Sequence, residues 1–157
     1  MINFFAIFTI VKFRIREFFF EYHYSILAPL ISSLLFLIIF STIERFYSLS
    51  EGSISFIEFL VPGLIIMNVA QESFDNPSVS IINSKLIGSF DDFLLAPLSR
   101  IEIFIAYISS QIIIGLILGS INFLIFSFFI SFNYFSFITF IYYLTLVIVF
   151  FSSIGSV

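Results

Sequence analysis

No charged residue follows Glu102, so the last fifty-five residues, from Ile103 to Val157, contain no Asp, Glu, Lys or Arg. Such a run suits the hydrocarbon core of a bilayer. An apolar helix needs ~20 residues to cross that core. The rest of the chain agrees, because 10% of all residues are charged, whereas a soluble domain carries about 25%. The sequence therefore predicts an all-α polytopic membrane protein, built as a single transmembrane domain over residues 1–157.

Four stretches of low charge predict the membrane spans. The second stretch has an uncharged run of only thirteen residues, Phe59 to Gln71. This run is too short to cross the bilayer, so we expect its helix to continue through Glu72 and Asp75. A small polar turn at Ser131 to Ser136 separates the last two spans. The predicted spans cover residues 24–43, 56–82, 101–130 and 137–157.

Residues 1–23 mix apolar side chains with charged ones. At 100° per residue, Lys12, Arg16 and His23 share one side of a helix, whereas Arg14, Glu17 and Glu21 lie on the other. This pattern favours an interfacial helix at the membrane surface. A basic anchor ahead of the first span is the alternative. A signal peptide is not expected, because the basic residues follow the apolar start and no A-x-A cleavage site is present.

The basic residues also predict the orientation. Arg45 alone lies on one side of the predicted membrane, and the other five basic residues lie on the opposite side: Lys12, Arg14, Arg16, Lys85 and Arg100. Cytoplasmic segments carry the excess of Lys and Arg. We therefore expect a multi-pass protein with its N-terminus in the cytoplasm.

The segment between the second and third spans is polar and carries helix start signals. Ser89-x-x-Asp92 predicts the N-cap of a short helix, which Pro97 ends because proline lacks an N–H. Ser99-x-x-Glu102 is a capping box that opens the third span, and Ser55-x-x-Glu58 is a similar box before the second. The sequence predicts a helical corner over residues 88–97.

These features resemble the ABC-2 type transporter permeases, the membrane subunits of bacterial ABC exporters for drugs, polysaccharides and lipids. Pro62, Gly63 and Leu64 match the P-G-L of the family's second span. In the family, a segment with acidic residues, leucines and a proline precedes the third span. The matching residues here are Asp91, Asp92, Leu94, Leu95 and Pro97, with aspartates in place of the usual glutamates.

The resemblance implies that residues 88–97 form a coupling helix that contacts a cytoplasmic ATP-binding subunit. Carboxylates in a first turn also favour the helix macrodipole, and this is the alternative role for the two aspartates. The contact residues are then Gly88, Asp91, Asp92, Phe93, Leu94, Leu95 and Pro97.

The resemblance also implies the partners and the location. It predicts a second permease subunit, in a homo- or heterodimer, in the bacterial inner membrane, with lipid around the helices and no nucleic acid. The family has six spans and this chain resembles about the first four, so we expect a fragment of a longer permease.

Nucleotide and metal chemistry are not expected in this chain. A Walker A loop needs G-x-x-x-x-G-K-[ST], and neither Lys12 nor Lys85 follows a glycine. ATP is therefore expected on the partner subunit, with no cofactor bound here. Cysteine is absent and His23 is the only histidine, so no Cys- or His-based metal cluster is expected.

Two further groups of residues have competing interpretations. Glu72 and Asp75 are ionisable at membrane depth, so they are candidate pathway residues; the alternative is a hydrated position at the cytoplasmic mouth. Gly115-x-x-x-Gly119, extended by Gln111 and Asn122, predicts a helix-packing face within the subunit or across a dimer. Pro62 and Gly63 are expected to loosen the second helix.

The predicted function is therefore the permease subunit of an ATP-driven exporter, which forms half of the translocation pathway. A truncated, non-transporting membrane remnant or scaffold is the first alternative. A proton-coupled carrier that uses Glu72 and Asp75 is the second.

Overall fold

The computed structural model describes residues 4–47, 56–88, 98–128 and 137–156, and every regular element among them is helical. Helix α1 is followed by one π-helical turn, His23–Leu27, which leads directly into α2. The α-helices in the described part of the chain are α1 (Phe4–Phe20), α2 (Ala28–Tyr47), α3 (Phe56–Ile87), α4 (Arg100–Ser127) and α5 (Phe137–Gly155). The predicted all-α membrane fold is confirmed.

Within the described residues, three helical stretches are long and apolar enough to cross a membrane: His23–Glu44, Arg100–Ser127 and Ile138–Gly155. Helix α3, which contains Glu72, Asp75 and Lys85, is not one of them. It nevertheless packs against α2, α4 and α5. Its 32 residues measure ~48 Å, which exceeds the ~30 Å of hydrocarbon. A crossing by α3 is supported by its length and its central position, and it remains a prediction.

A four-residue repeat of buried side chains explains why α3 lies at the centre. Its buried face runs through Val61, Ile65, Val69, Ser73 and Pro77. Residues four apart share one side of a helix, so this stripe is continuous. Helix α5 has the same repeat, with Phe140, Leu144, Ile148 and Ser152 buried. In lipid, the burial of apolar surface contributes little to the association of helices. Close van der Waals packing therefore holds the two stripes together.

The predicted continuation of α3 through Glu72 and Asp75 is confirmed, and the helix passes Pro77 without ending. Helix α2 differs from the sequence-based prediction, since it runs beyond Ile43 to Tyr47. Near this end, the Glu44 carboxylate accepts a hydrogen bond of 3.0 Å from the backbone N–H of Phe56. Glu44 therefore satisfies an otherwise open amide in the first turn of α3.

The predicted turn at Ser131 to Ser136 lies outside the described residues. The same holds for the Ser55 cap and for the predicted coupling helix beyond Gly88.

Candidate functional site

The two ends of the predicted coupling segment are described. Helix α3 ends at Ile87, and Gly88 follows with φ +80°. This left-handed conformation favours glycine, the usual residue just after a helix. The Gly88 N–H donates to the Lys85 carbonyl at 3.3 Å. The other predicted contact residues, Asp91, Asp92, Phe93, Leu94, Leu95 and Pro97, lie outside the described residues.

The far end of the segment is fixed by the capping box that the sequence predicts, and this prediction is confirmed. The Glu102 N–H donates to Ser99 Oγ at 3.2 Å, and the Ser99 N–H donates to Glu102 Oε2 at 2.7 Å. Each bond satisfies an amide that has no partner within the first turn of a helix. Both helices that enclose the segment therefore have defined ends.

A buried arginine lies about two turns from that end of the bundle. Arg14 of α1 is 5% exposed. Its Nη1 donates to Glu17 Oε2 at 2.7 Å and to Ser80 Oγ. Its Nη2 donates to Asn76 of α3, to the carbonyl at 3.1 Å and to Oδ1 at 2.6 Å. The guanidinium carbon also lies 4.9 Å from the centre of the Tyr107 ring of α4.

Arg14 is one wall of a polar cavity of about 170 Å³ between α1, the start of the first span and α3. Four carboxylates line the same cavity: Glu17, Glu21, Glu72 and Asp75. Glu72 is half-buried and accepts from Asn76 Nδ2 at 3.3 Å, whereas Asp75 is exposed. One guanidinium thus faces four acidic groups, and a pathway role for Glu72 and Asp75 stays a prediction.

Sequence reasoning counted Arg14 only as a basic residue that sets orientation, and it missed Asn76, Ser80 and Tyr107. One signal was available: Arg14 lies on the opposite side of α1 from Lys12 and Arg16. The structure gives this difference a cause, because Lys12 and Arg16 are exposed while Arg14 is buried against α3 and α4.

The predicted packing face of α4 lies against other helices of the same chain. A Cβ at Gly115 would be 2.7 Å from Ile148 Cδ1, and one at Gly119 would be 2.8 Å from Leu144 Cδ1, so both glycines allow α5 to approach closely. Gln111 Nε2 donates to the Glu72 carbonyl of α3 at 3.1 Å.

Asn122 connects α4 to α3 within the bundle. Asn68 Nδ2 of α3 donates to Asn122 Oδ1 at 3.4 Å and to Ser33 Oγ of α2. Sequence reasoning missed Asn68 and Ser33, because such a link spans three helices.

Pro62 and Gly63 behave differently from the α4 glycines. Both lie inside the continuous helix α3, so Pro62 does not end it. Gly63 is exposed, and a Cβ there would meet nothing within 4 Å. Gly63 therefore does not allow a close helix contact within the described part of this chain.

Among the described residues, no group of three or more His, Cys, Asp or Glu side chains is placed to hold a metal ion. The site consists of the ends of α3 and α4, at Gly88 and Ser99, and of a polar cluster that joins three helices.

The fold and these features define a polytopic α-helical membrane protein. The family model of the ABC-2 type transporter matches residues 5–157. The chain therefore belongs to the ABC-2 type transporter family.

The individual relatives have low sequence identity to this chain. The chain is 28% identical over 131 residues to the inner membrane transport permease YadH of Escherichia coli K12, an alignment that covers 83% of this chain and 51% of the relative. YadH of Shigella flexneri matches with the same identity and coverage. The chain spans about half the length of these relatives. No solved structure matches.

Proposed function

We propose that this chain is part of the permease subunit of an ATP-driven exporter and contributes half of the translocation pathway for a drug, polysaccharide or lipid-like substrate. A separate ATP-binding subunit hydrolyses ATP and contacts residues 88–97. A second permease subunit supplies the other half of the pathway. The name of the E. coli relative, an inner membrane transport permease, supports a location in the inner membrane.

The observation that carries this proposal is the construction of one end of the bundle. Helix α3 ends at Ile87 and helix α4 begins at Arg100, so a connection of only twelve residues, 88–99, joins two helices whose ends are each defined by hydrogen bonds to the backbone. A force applied to a short connection between rigid helices is transmitted into both of them. This end of the bundle suits contact with an ATP-driven subunit.

The charges support a cytoplasmic location for this end. Arg14 contacts Ser80, eight residues before Gly88, so this side chain of α1 reaches the same part of α3. Five of the six basic residues of the chain belong to α1 or flank the segment: Lys12, Arg14, Arg16, Lys85 and Arg100. Basic residues are concentrated on the cytoplasmic side.

The test is co-purification with an ABC-type ATP-binding protein that is co-expressed with this chain. Leu94→Ala together with Leu95→Ala removes two apolar contacts, and we expect recovery of the partner to fall at least about tenfold, because apolar anchors at an interface often contribute more than 1 kcal/mol each. The matched control is Leu86→Ala with Ile87→Ala, two exposed apolar residues that directly precede the segment.

The results separate the candidate functions. Equal recovery with both double variants would exclude residues 94 and 95 as the contact. If the original chain recovers no ATP-binding protein at all, the non-transporting scaffold or remnant becomes the better description.

A further inference from the structure

Arg14 connects α1 to α3, a helix with which α1 otherwise has little contact. Helix α1 lies along α4 rather than along α3. Arg14 nevertheless reaches α3 with three hydrogen bonds, two to Asn76 and one to Ser80. Its guanidinium also contacts the Tyr107 ring of α4. One side chain of α1 therefore touches both helices that enclose the coupling segment.

We infer that Arg14 is a positioning residue that joins α1 to α3 and α4, so that α1 follows the movement of these two helices. The coupling role rests on the proposed function, whereas the structural link does not. Helix α1 is then a third element that moves when the segment between Gly88 and Ser99 is displaced.

The distances along the helices agree with this role. Ser80 precedes Gly88 by eight residues, and Tyr107 follows Arg100 by seven. At 1.5 Å per residue these intervals are ~12 Å and ~10 Å. Asn76, the other partner on α3, precedes Gly88 by twelve residues, or ~18 Å. Arg14 therefore contacts α3 and α4 about two to three turns from the segment, where both are regular α-helices.

The chemistry requires arginine in particular. Its planar group presents five N–H donors in a fixed fork, whereas lysine offers one compact ammonium. Here the two terminal nitrogens bind acceptors on three residues, Glu17, Asn76 and Ser80. A lysine at this position keeps the charge but not the simultaneous contacts, so it is expected to restore the link only in part.

The first experiment measures amide hydrogen exchange by mass spectrometry on the full chain in lipid nanodiscs. In Arg14→Gln we expect amides of α1 to exchange at least about tenfold faster, because bonds to a buried charged group are lost. Asn76→Ala keeps Arg14 but removes the Oδ1 acceptor of Arg14 together with the Nδ2 donor to Glu72, and it is expected to change α1 in the same direction.

Arg16→Gln is the matched control. Arg16 lies two residues away, is exposed, and contacts Phe20 of its own helix. Arg14→Lys is expected to fall between the original chain and Arg14→Gln. If Arg14→Gln and Asn76→Ala leave the exchange of α1 unchanged, or if Arg16→Gln raises it equally, the link is refuted.

The second experiment tests the coupling role in the complex with the ATP-binding protein. Trapping that protein with ATP and vanadate is expected to change exchange near the end of α3 and also in α1. In Asn76→Ala the change in α3 should persist while the response of α1 falls at least about threefold, an effect that a purely structural role does not produce.

The outcomes of the second experiment are distinct. If α1 responds as strongly in Asn76→Ala as in the original chain, the coupling role is refuted. If the original chain does not bind the ATP-binding protein, the proposed function and the coupling role fail together, and the first experiment still decides the structural link.

Discussion

Replacement of individual glycines by alanine is expected to change the stability of this chain by different amounts, because the new Cβ meets different neighbours at each position. At Gly115 a Cβ would lie 2.7 Å from Ile148 Cδ1 and 2.8 Å from Ile148 Cγ1. At Gly119 the nearest atom is Leu144 Cδ1, at 2.8 Å. These neighbours are side-chain atoms that can shift, so overpacking of about 1–3 kcal/mol is partly offset by the better helix propensity of alanine, about 1 kcal/mol. A net loss of about 0–2 kcal/mol is expected at both positions.

Gly155 is the extreme case and Gly63 is the matched control. A Cβ at Gly155 would lie 2.5 Å from the Phe74 carbonyl oxygen and 3.1 Å from Phe74 Cα. These are backbone atoms, so α3 and α5 must separate, and a loss of about 3 kcal/mol or more is expected. Gly63 has nothing within 4 Å, and its replacement is expected to be neutral or to stabilise by up to about 1 kcal/mol.

The assay is unfolding of the purified chain in mixed micelles by increasing denaturing detergent, followed by circular dichroism. The expected order of stability is Gly63→Ala, then Gly115→Ala and Gly119→Ala, then Gly155→Ala. A Gly155→Ala variant as stable as Gly63→Ala would refute the reasoning.

A double variant tests the cause at Gly115. Ile148→Ala removes all three atoms that crowd the new Cβ: Cδ1, Cγ1 and Cγ2. In this background Gly115→Ala should lose its destabilising effect, so the two changes should not add. Strict additivity would show that the Ile148 side chain is not the obstacle.

Two further predictions concern hydrogen bonds within the bundle. Ser99→Ala removes an acceptor of the capping box and should destabilise the start of α4 by about 1 kcal/mol. The measurement is hydrogen exchange of the Glu102 amide, which should become faster. Ser99→Asp keeps an acceptor and should restore the protection of this amide. Asn68→Ala removes the bonds to Ser33 and Asn122 and should destabilise the chain by about 0.6–2 kcal/mol in the same micelle assay, because such bonds between membrane helices are individually modest. A larger loss with Ser33→Ala than with Asn68→Ala would contradict the assignment of Asn68 as the shared donor.

The predictions that succeeded concern local features. The capping box at Ser99 and Glu102 involves groups three residues apart, so it follows from the short sequence motif alone. The continuation of α3 through Glu72 followed from the length that a bilayer crossing needs. The hydrogen bond near the end of α2 was harder to predict, because its acceptor, the Glu44 carboxylate, and its donor, the Phe56 N–H, are twelve residues apart.

The polar cluster was not predictable in the same way. Arg14 and Ser80 are 66 residues apart, and Arg14 and Asn76 are 62 apart. Helical periodicity indicates which side of α1 carries Arg14, but it does not indicate which helix lies on that side. The sequence consequently left Glu72 and Asp75 without a basic partner, although the fold places Arg14 in the same cavity.

The sequence by itself identified the membrane as the surroundings of the chain and located the start of α4, because charge density and capping act within a few residues of the chain. Only the tertiary structure decided which faces meet. It placed Gly115 and Gly119 against α5 within the chain and left Gly63 exposed. It also showed that Arg14, one of several basic residues in the sequence, is a buried connection between three helices. The physical reason is that most faces of a membrane helix are apolar, so apolarity alone does not identify their neighbours, whereas close packing and buried polar bonds do.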